Sequence, residues 1–384
     1  MNDSRIRLAF VIYGIHKDSG STNYQMNLLS LFQSQKKIEV IVFAPPNFIS
    51  KEPIGFSQTA LPYSISLFEK IRFYLDNRRE FRSIQFLKKL LPSKFCEQIK
   101  DQNIDHIYFS SPNPLGLMDL STPFTTTVWD LGHRDLPKYP EMASTLKYAK
   151  REFYFKNVLN RAHSIIVDST TTKFKLSRYF GVKTAKIAVG GLFPFTETIN
   201  EEQHLEFQYI IYPANMWPHK NHMKLLEAFA IINKLHPNLH LVLTGGDRGI
   251  LKNLVLFVKE AGLSEVVHFK GFLPYEDVSA LIQKAEVLVM PTLLGPTNLP
   301  VLEALIMGTK VAASNIHEPL NDFNTSIIQY FDPYQPEDIA HTVLELLACN
   351  PISPYAEYFA NQNSINFESI LKILKSSTKM STSE

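Results

Sequence analysis

Cysteine is almost absent from this chain of 384 residues, which has Cys96 and Cys349 and no others. Two cysteines far apart give neither a disulfide framework nor a Cys/His zinc cluster. Without a basic-then-apolar leader either, the sequence reads as a reduced, cytoplasmic protein. Net charge is scarce too: 39 Lys and Arg stand against 37 Asp and Glu, a balance of +2. That leaves no surplus of cations to hold a nucleic acid, so none is expected as a partner. Long apolar runs are also missing. The longest uncharged stretch around an apolar peak, Val287–Leu302, is broken by Pro291, Gly295, Pro296 and Pro300 and is too short to cross hydrocarbon. A phosphate loop ending in Gly-Lys-Ser/Thr, a Gly-x-Ser-x-Gly elbow and an Asp-x-Asp pair are all lacking, so no metal or bound cofactor is expected.

What is present is an ordinary folding composition, 45% hydrophobic and 20% charged, in apolar runs that alternate with helical patterns. Arg7–Tyr13 is a β-rich run ended by Gly14; a Ser19-Gly20-Ser21 turn then leads into the amphipathic stretch Asn23–Phe32. Further runs at Val40–Phe43, His106–Phe109, Thr126–Trp129 and Ile165–Val167 have the spacing of βαβ units on a parallel sheet. A polar, acidic segment at 196–203 separates them from a second series. This comprises Tyr209–Tyr212, helix Met223–Lys234, Leu239–Leu243, Val266–Phe269, helix Tyr275–Lys284, Val287–Met290 and helix Leu299–Met307. The expected fold class is therefore α/β, two Rossmann-like doubly wound domains facing across a cleft, with domains at 1–195 and 196–360 and a frayed tail at 379–384. Ligands of such sheets bind beyond the carboxyl ends of the strands.

Three segments after strands could carry chemistry. In Pro291–Gly308 a loop leads into a helix capped by Thr297 or Asn298, with Pro300 in its first turn. The free amides around 297–300 and the positive helix end suit a diphosphate, and Glu303, one turn inside, could accept from ribose hydroxyls. The same residues also fit an ordinary capped helix with a surface glutamate. In Ala214–His222, His219, Lys220, Asn221 and His222 gather donors at a helix start, where a lysine opposes the dipole unless an anion is bound; a solvated turn capped by Asn221 fits as well. At 126–137 a β-rich run empties into Asp130, His133, Arg134 and Asp135, either turn residues or groups meeting a ligand held by the other domain.

Jointly, these segments resemble the glycosyltransferases of family 4, retaining enzymes of the two-domain GT-B fold. The phrases Ala162–Ser169 and Tyr330–Pro333 look like the same family. The resemblance implies an acceptor-side domain at 1–195 and a nucleotide-sugar domain at 196–360. It also implies a helix at 361–378 crossing back to the first domain. By it, Gly20 and Asn221 belong to the donor side, Lys220 neutralises the donor diphosphate and Glu303 holds the ribose. The amides of Thr297, Asn298 and Leu299 touch sugar and phosphate, and the loop at Gly271-Phe272-Leu273 meets the nucleobase. Gly295 stands where the family has the first glutamate of its Glu-x7-Glu motif, and Trp129 stands where it has a histidine.

The activity so implied is transfer of a sugar from a UDP- or GDP-linked donor to a glycan or lipid-linked acceptor, as in surface polysaccharide synthesis. Lys220 would serve the leaving anion, with Asp130 and His133 on the sugar side. A catalytically inactive nucleotide-sugar binder or scaffold of the same fold is the alternative. Residues 67–100 carry nine Lys and Arg against four acids, interleaved with Phe68, Ile71, Leu75, Phe86, Leu87, Leu90 and Leu91. The pattern fits either a face resting on anionic membrane or a helical pair with a solvated basic side.

Overall fold

A computed structural model of the chain describes residues 5–12, 20–46, 57–61, 93–118, 120–190, 193–194, 205–295, 298–316 and 327–380. Contacts divide the chain into two compact units, one drawn from residues 1–129, 146–191 and 364–384 and the other from 130–145 and 192–363.

The first unit holds seven parallel strands, β1 (Ile6–Val11), β2 (Ile38–Ala44), β3 (Ser57–Ala60), β4 (His106–Phe109), β5 (Phe124–Val128), β6 (Ser164–Val167) and β7 (Ile187–Val189), in the order β3-β2-β1-β4-β5-β6-β7. Its described helices include α1 (Gly20–Gln33), α2 (Lys94–Asp101), α3 (Thr145–Val158) and α4 (Thr170–Phe180). A parallel sheet covered on both faces needs strands that are apolar throughout, and Leu8–Val11 and Ile165–Val167 are fully buried. β5 departs from this, because Thr125, Thr126 and Thr127 are buried too. Their hydroxyls meet His106 at 2.8 Å, Ser164 at 2.7 Å, Tyr154 at 3.3 Å and Tyr108 at 2.9 Å, so the polar strand leaves no hydroxyl orphaned in the core.

The second unit repeats the architecture with β8 (Tyr209–Pro213), α5 (His222–Leu235), β9 (His240–Thr244), α6 (Leu251–Glu260), β10 (Val267–Gly271), α7 (Tyr275–Lys284), β11 (Val287–Met290), α8 (Leu299–Met307), β12 (Lys310–Ser314), β13 (Ile328–Phe331) and α9 (Pro336–Ala348). The strand order β10-β9-β8-β11-β12-β13 is all parallel and reverses direction between β8 and β11. Such a reversal splays the two following loops apart and leaves a crevice at the carboxyl ends. The loops after β8 and β11 are those of Ala214–Asn221 and Pro291–Asn298.

Two boundaries differ from the sequence reading. Asp130–Thr145, expected in the first domain, groups with the second unit, for reasons given below. The last helix, α10 (Ala356–Met380), extends beyond 361–378 at both ends, so Lys379 and Met380 are helical rather than frayed. β12 is a strand that its sequence does not announce, since Lys-Val-Ala-Ala-Ser has little β propensity. Lys310 is nevertheless buried there, its Nζ donating to the Leu346 and Cys349 carbonyls at 2.7 and 2.8 Å, at the end of α9. The segment 196–203 lies outside the described residues. Among those described, no helix is long and apolar enough to cross a membrane.

Candidate functional site

After β8 the chain enters a tight 3-10 turn, Pro218–Lys220, and Asn221 follows in the left-handed region at φ +60°. Asparagine tolerates this backbone better than most residues. Asn221 precedes α5 without capping it through its side chain. Its Nδ2 instead donates to the Pro291 carbonyl at 3.1 Å and the Pro333 carbonyl at 2.7 Å. Both amide hydrogens thus tie together the loops after β8, β11 and β13.

His219 is the hub of this turn. It is buried, and its backbone N–H and ring Nδ1 both lie on Glu141 Oε1, at 3.2 and 3.1 Å. Its carbonyl accepts from the Leu293 N–H at 2.9 Å. Burial, and next the neighbouring Lys220, pull the imidazole below its ordinary pKa, with Glu141 and Asp130 opposing. The Glu141 carboxylate can only accept, so the ring meets it with Nδ1–H as donor. Lys220 is half-buried, and burial lowers its ammonium to about 8 while Asp130 holds it up. Asp130 Oδ1 also accepts from the Gly132 N–H at 2.6 Å. A Cβ on Gly132 would come within 2.9 Å of the Leu294 and Met142 side chains, so this segment packs closely on the loop after β11. That packing, with the Glu141–His219 contact, is why 130–145 belongs to the second unit. His133, in the turn Gly132–Asp135, is fully buried.

Sequence reasoning passed over Glu141, Gly245 and Arg248. Gly245 sits at φ +113°, where a Cβ would lie 2.4 Å from the Ala214 oxygen. Its lack of a side chain lets the loop after β9 hydrogen-bond Asn215 and Met216. Arg248, from that loop, stands 5.6 Å over the Trp217 ring and brings a second cation to the rim of the lysine turn.

On the other side of the crevice α8 begins at Leu299. Asn298 stands at its N-cap, but its Nδ2 turns back to the Gly295 carbonyl at 3.2 Å instead of its side chain bonding a helix amide. Thr297 lies outside the described residues, as does Ser19 before Gly20, which opens α1. Phe272 follows β10 and is 52% exposed, free to present its ring to a ligand. Glu303 is no surface glutamate: it is 5% exposed, and Tyr275 donates to its Oε1 at 3.1 Å. Burial raises its carboxyl from 4.5 to about 7, with the Tyr275 hydrogen bond opposing. The native state therefore holds a proton between those values that the unfolded chain has released, and stability falls as pH rises through that window. Glu303→Gln, which cannot ionise, is expected to gain on the parent chain as pH goes from 4.5 to 8, by about 3 kcal/mol at the upper end. Thermal midpoints of the two across that range check it.

Among the described residues no group of three or more His, Cys, Asp or Glu could hold a metal. Residues 195–364 match the family model for glycosyl transferases group 1. Relatives along the sequence include mannosylfructose-phosphate synthase of Agrobacterium fabrum, 23% identical over 70% of this chain and 67% of that protein. O-antigen chain mannosyltransferase B of Escherichia coli is 24% identical over 62% of this chain and 64% of its own length. The matched region thus spans about two thirds of each relative. Among solved structures, a glycosyltransferase from Rickettsia africae superposes with TM-score 0.66 at 14% identity, covering 98% of this chain and 99% of that one. Anabaena HepE in complex with UDP-glucose gives 0.65 at 14% identity, covering 99% and 100%. The two parallel sheets and these likenesses make the fold GT-B, and the matched stretch contains the Lys220 turn, the loop after β11 and Glu303.

Proposed function

We propose that this chain transfers a sugar from a UDP- or GDP-linked donor to a glycan or lipid-linked acceptor, with retention and without a metal, in surface polysaccharide synthesis. The observation that carries the reading is Lys220, a half-buried ammonium at the carboxyl end of β8, on the reversal of strand order where an anionic ligand is expected. As the bond from the anomeric carbon to the donor phosphate oxygen breaks, negative charge grows on the leaving diphosphate. Lys220 and the first amides of α8, with Thr297, Asn298 and Leu299, answer that charge. Glu303 accepts from the ribose hydroxyls, and Phe272 and Asn221 line the donor side. Gly20, at the start of α1, frees backbone for close approach. Asp130 orients hydroxyls on the sugar side, and His133, buried three residues on, is the proton-transfer group of the same segment. The O-antigen relatives support an acceptor of polysaccharide type. The basic stretch 67–100, of which 93–100 is described, would hold the enzyme on anionic lipid at the cytoplasmic face.

Incubating the full chain with UDP- and GDP-sugars and a mixed acceptor pool should release the nucleoside diphosphate in a donor-specific manner. Calorimetric binding without release from any pair would favour the non-catalytic binder. One observation speaks against that binder as a decayed enzyme: Gly295 adopts φ +96°, so the loop is shaped for glycine and not for a lost side chain. Gly295→Glu is therefore expected to lower stability by about 1–2 kcal/mol without raising the transfer rate, as denaturation midpoints and initial rates would show.

A further inference from the structure

We propose that Glu141 is a positioning residue for the lysine turn and the loop after β11. One carboxylate oxygen takes both the backbone N–H of His219, at 3.2 Å, and its ring Nδ1–H, at 3.1 Å, with side chains only 8% and 5% exposed. The His219 carbonyl in turn receives the Leu293 N–H at 2.9 Å. Three of the four polar groups of residue 219 are fixed in this way, so the Cα of Lys220, one peptide further on, has little freedom. Asp130, at the start of the same segment, favours the charged form of Lys220. The arrangement also selects the His219 tautomer, leaving Nε2 as the acceptor nitrogen. Glu141 lies 78 residues from His219 in sequence, and Gly132, earlier in the same 130–145 segment, lies against the Leu294 side chain. Hydrogen bonds to a buried carboxylate are stronger than those between neutral groups, and two of them converging on one oxygen hold a geometry.

The catalytic consequence rests on the proposed glycosyl transfer; the structural one does not. A shift of about 1 Å in a catalytic group costs about 10²-fold in rate. Glu141→Ala should therefore lower kcat about 100-fold with donor KM within about threefold, and speed amide exchange in both 216–222 and 291–295. Glu141→Gln keeps an acceptor oxygen for the His219 N–H and should recover to within about tenfold of the parent chain. If Glu141→Ala does not fold, Glu141→Asp, which withdraws the oxygen by one methylene, is read the same way with about a tenfold loss. Unchanged exchange in the two segments would overturn the proposal, as would rate losses that simply track the thermal midpoint in both variants. A parent chain that releases no nucleotide from any donor strikes at the glycosyl transfer alone, and the exchange data still decide whether Glu141 holds the turn.

Discussion

Lys220→Ala is expected to lower kcat/KM about 10³-fold while leaving the fold intact, the loss typical of removing one preorganised charge from a site where an anion develops. Among the described residues the other cation placed beside this turn is Arg248. Arg248 is held over the Trp217 ring and comes from a different loop. Lys220→Arg restores the charge on a longer, planar head in a half-buried space, so partial recovery, about tenfold above alanine, is the expected result. Asp130 supplies an internal check. Its carboxylate holds the Lys220 ammonium up against burial, so Asp130→Asn should drop it below about 8 and bring forward the loss of activity as pH rises. Initial rates at several pH values for the parent chain, Lys220→Ala, Lys220→Arg and Asp130→Asn make the comparison. A Lys220→Ala rate within fivefold of the parent would remove the lysine from the reaction.

The two sheets were legible because parallel strands buried on both faces must be written as continuous apolar runs. His106–Phe109, Ile165–Val167, Tyr209–Tyr212 and Val287–Met290 all sit in or on strands of the structure. The lysine turn and the loop after β11 were legible for a related reason: polar residues following such a run fall at the carboxyl edge. Pairings between distant segments leave no local trace. Glu141 was an unremarkable carboxylate until it met His219, and Asp130–Thr145 follows a strand of the first unit while packing on the second. Glu303 shows the same limit from another side. A glutamate one turn into an apolar helix reads equally as exposed or buried, and only the neighbouring Tyr275 decides it. β12 was hidden because a lysine in a short alanine-rich run argues against a core strand unless helix-end carbonyls wait to receive it.

If Glu303 must be charged to accept from ribose hydroxyls and Lys220 must be charged to meet the diphosphate, kcat/KM should follow a bell, with limbs at about 7 and about 8. The acidic limb belongs to a carboxyl raised by burial, so activity falls as Glu303 gains its proton. The alkaline limb belongs to an ammonium lowered by burial, so activity falls as Lys220 loses its own. Glu303→Gln should abolish the acidic limb and lower the plateau about 10²-fold, the worth of charged hydrogen bonds exchanged for neutral ones at a buried site. Tyr275→Phe is the finer test, because its hydroxyl donates to Glu303 Oε1 and lowers that carboxyl. Without it Glu303 titrates higher, the acidic limb moves toward the alkaline one and the bell narrows, while Lys220 keeps its place. An acidic limb that stays put in both variants would assign it to another group and leave Glu303 without a part in donor recognition.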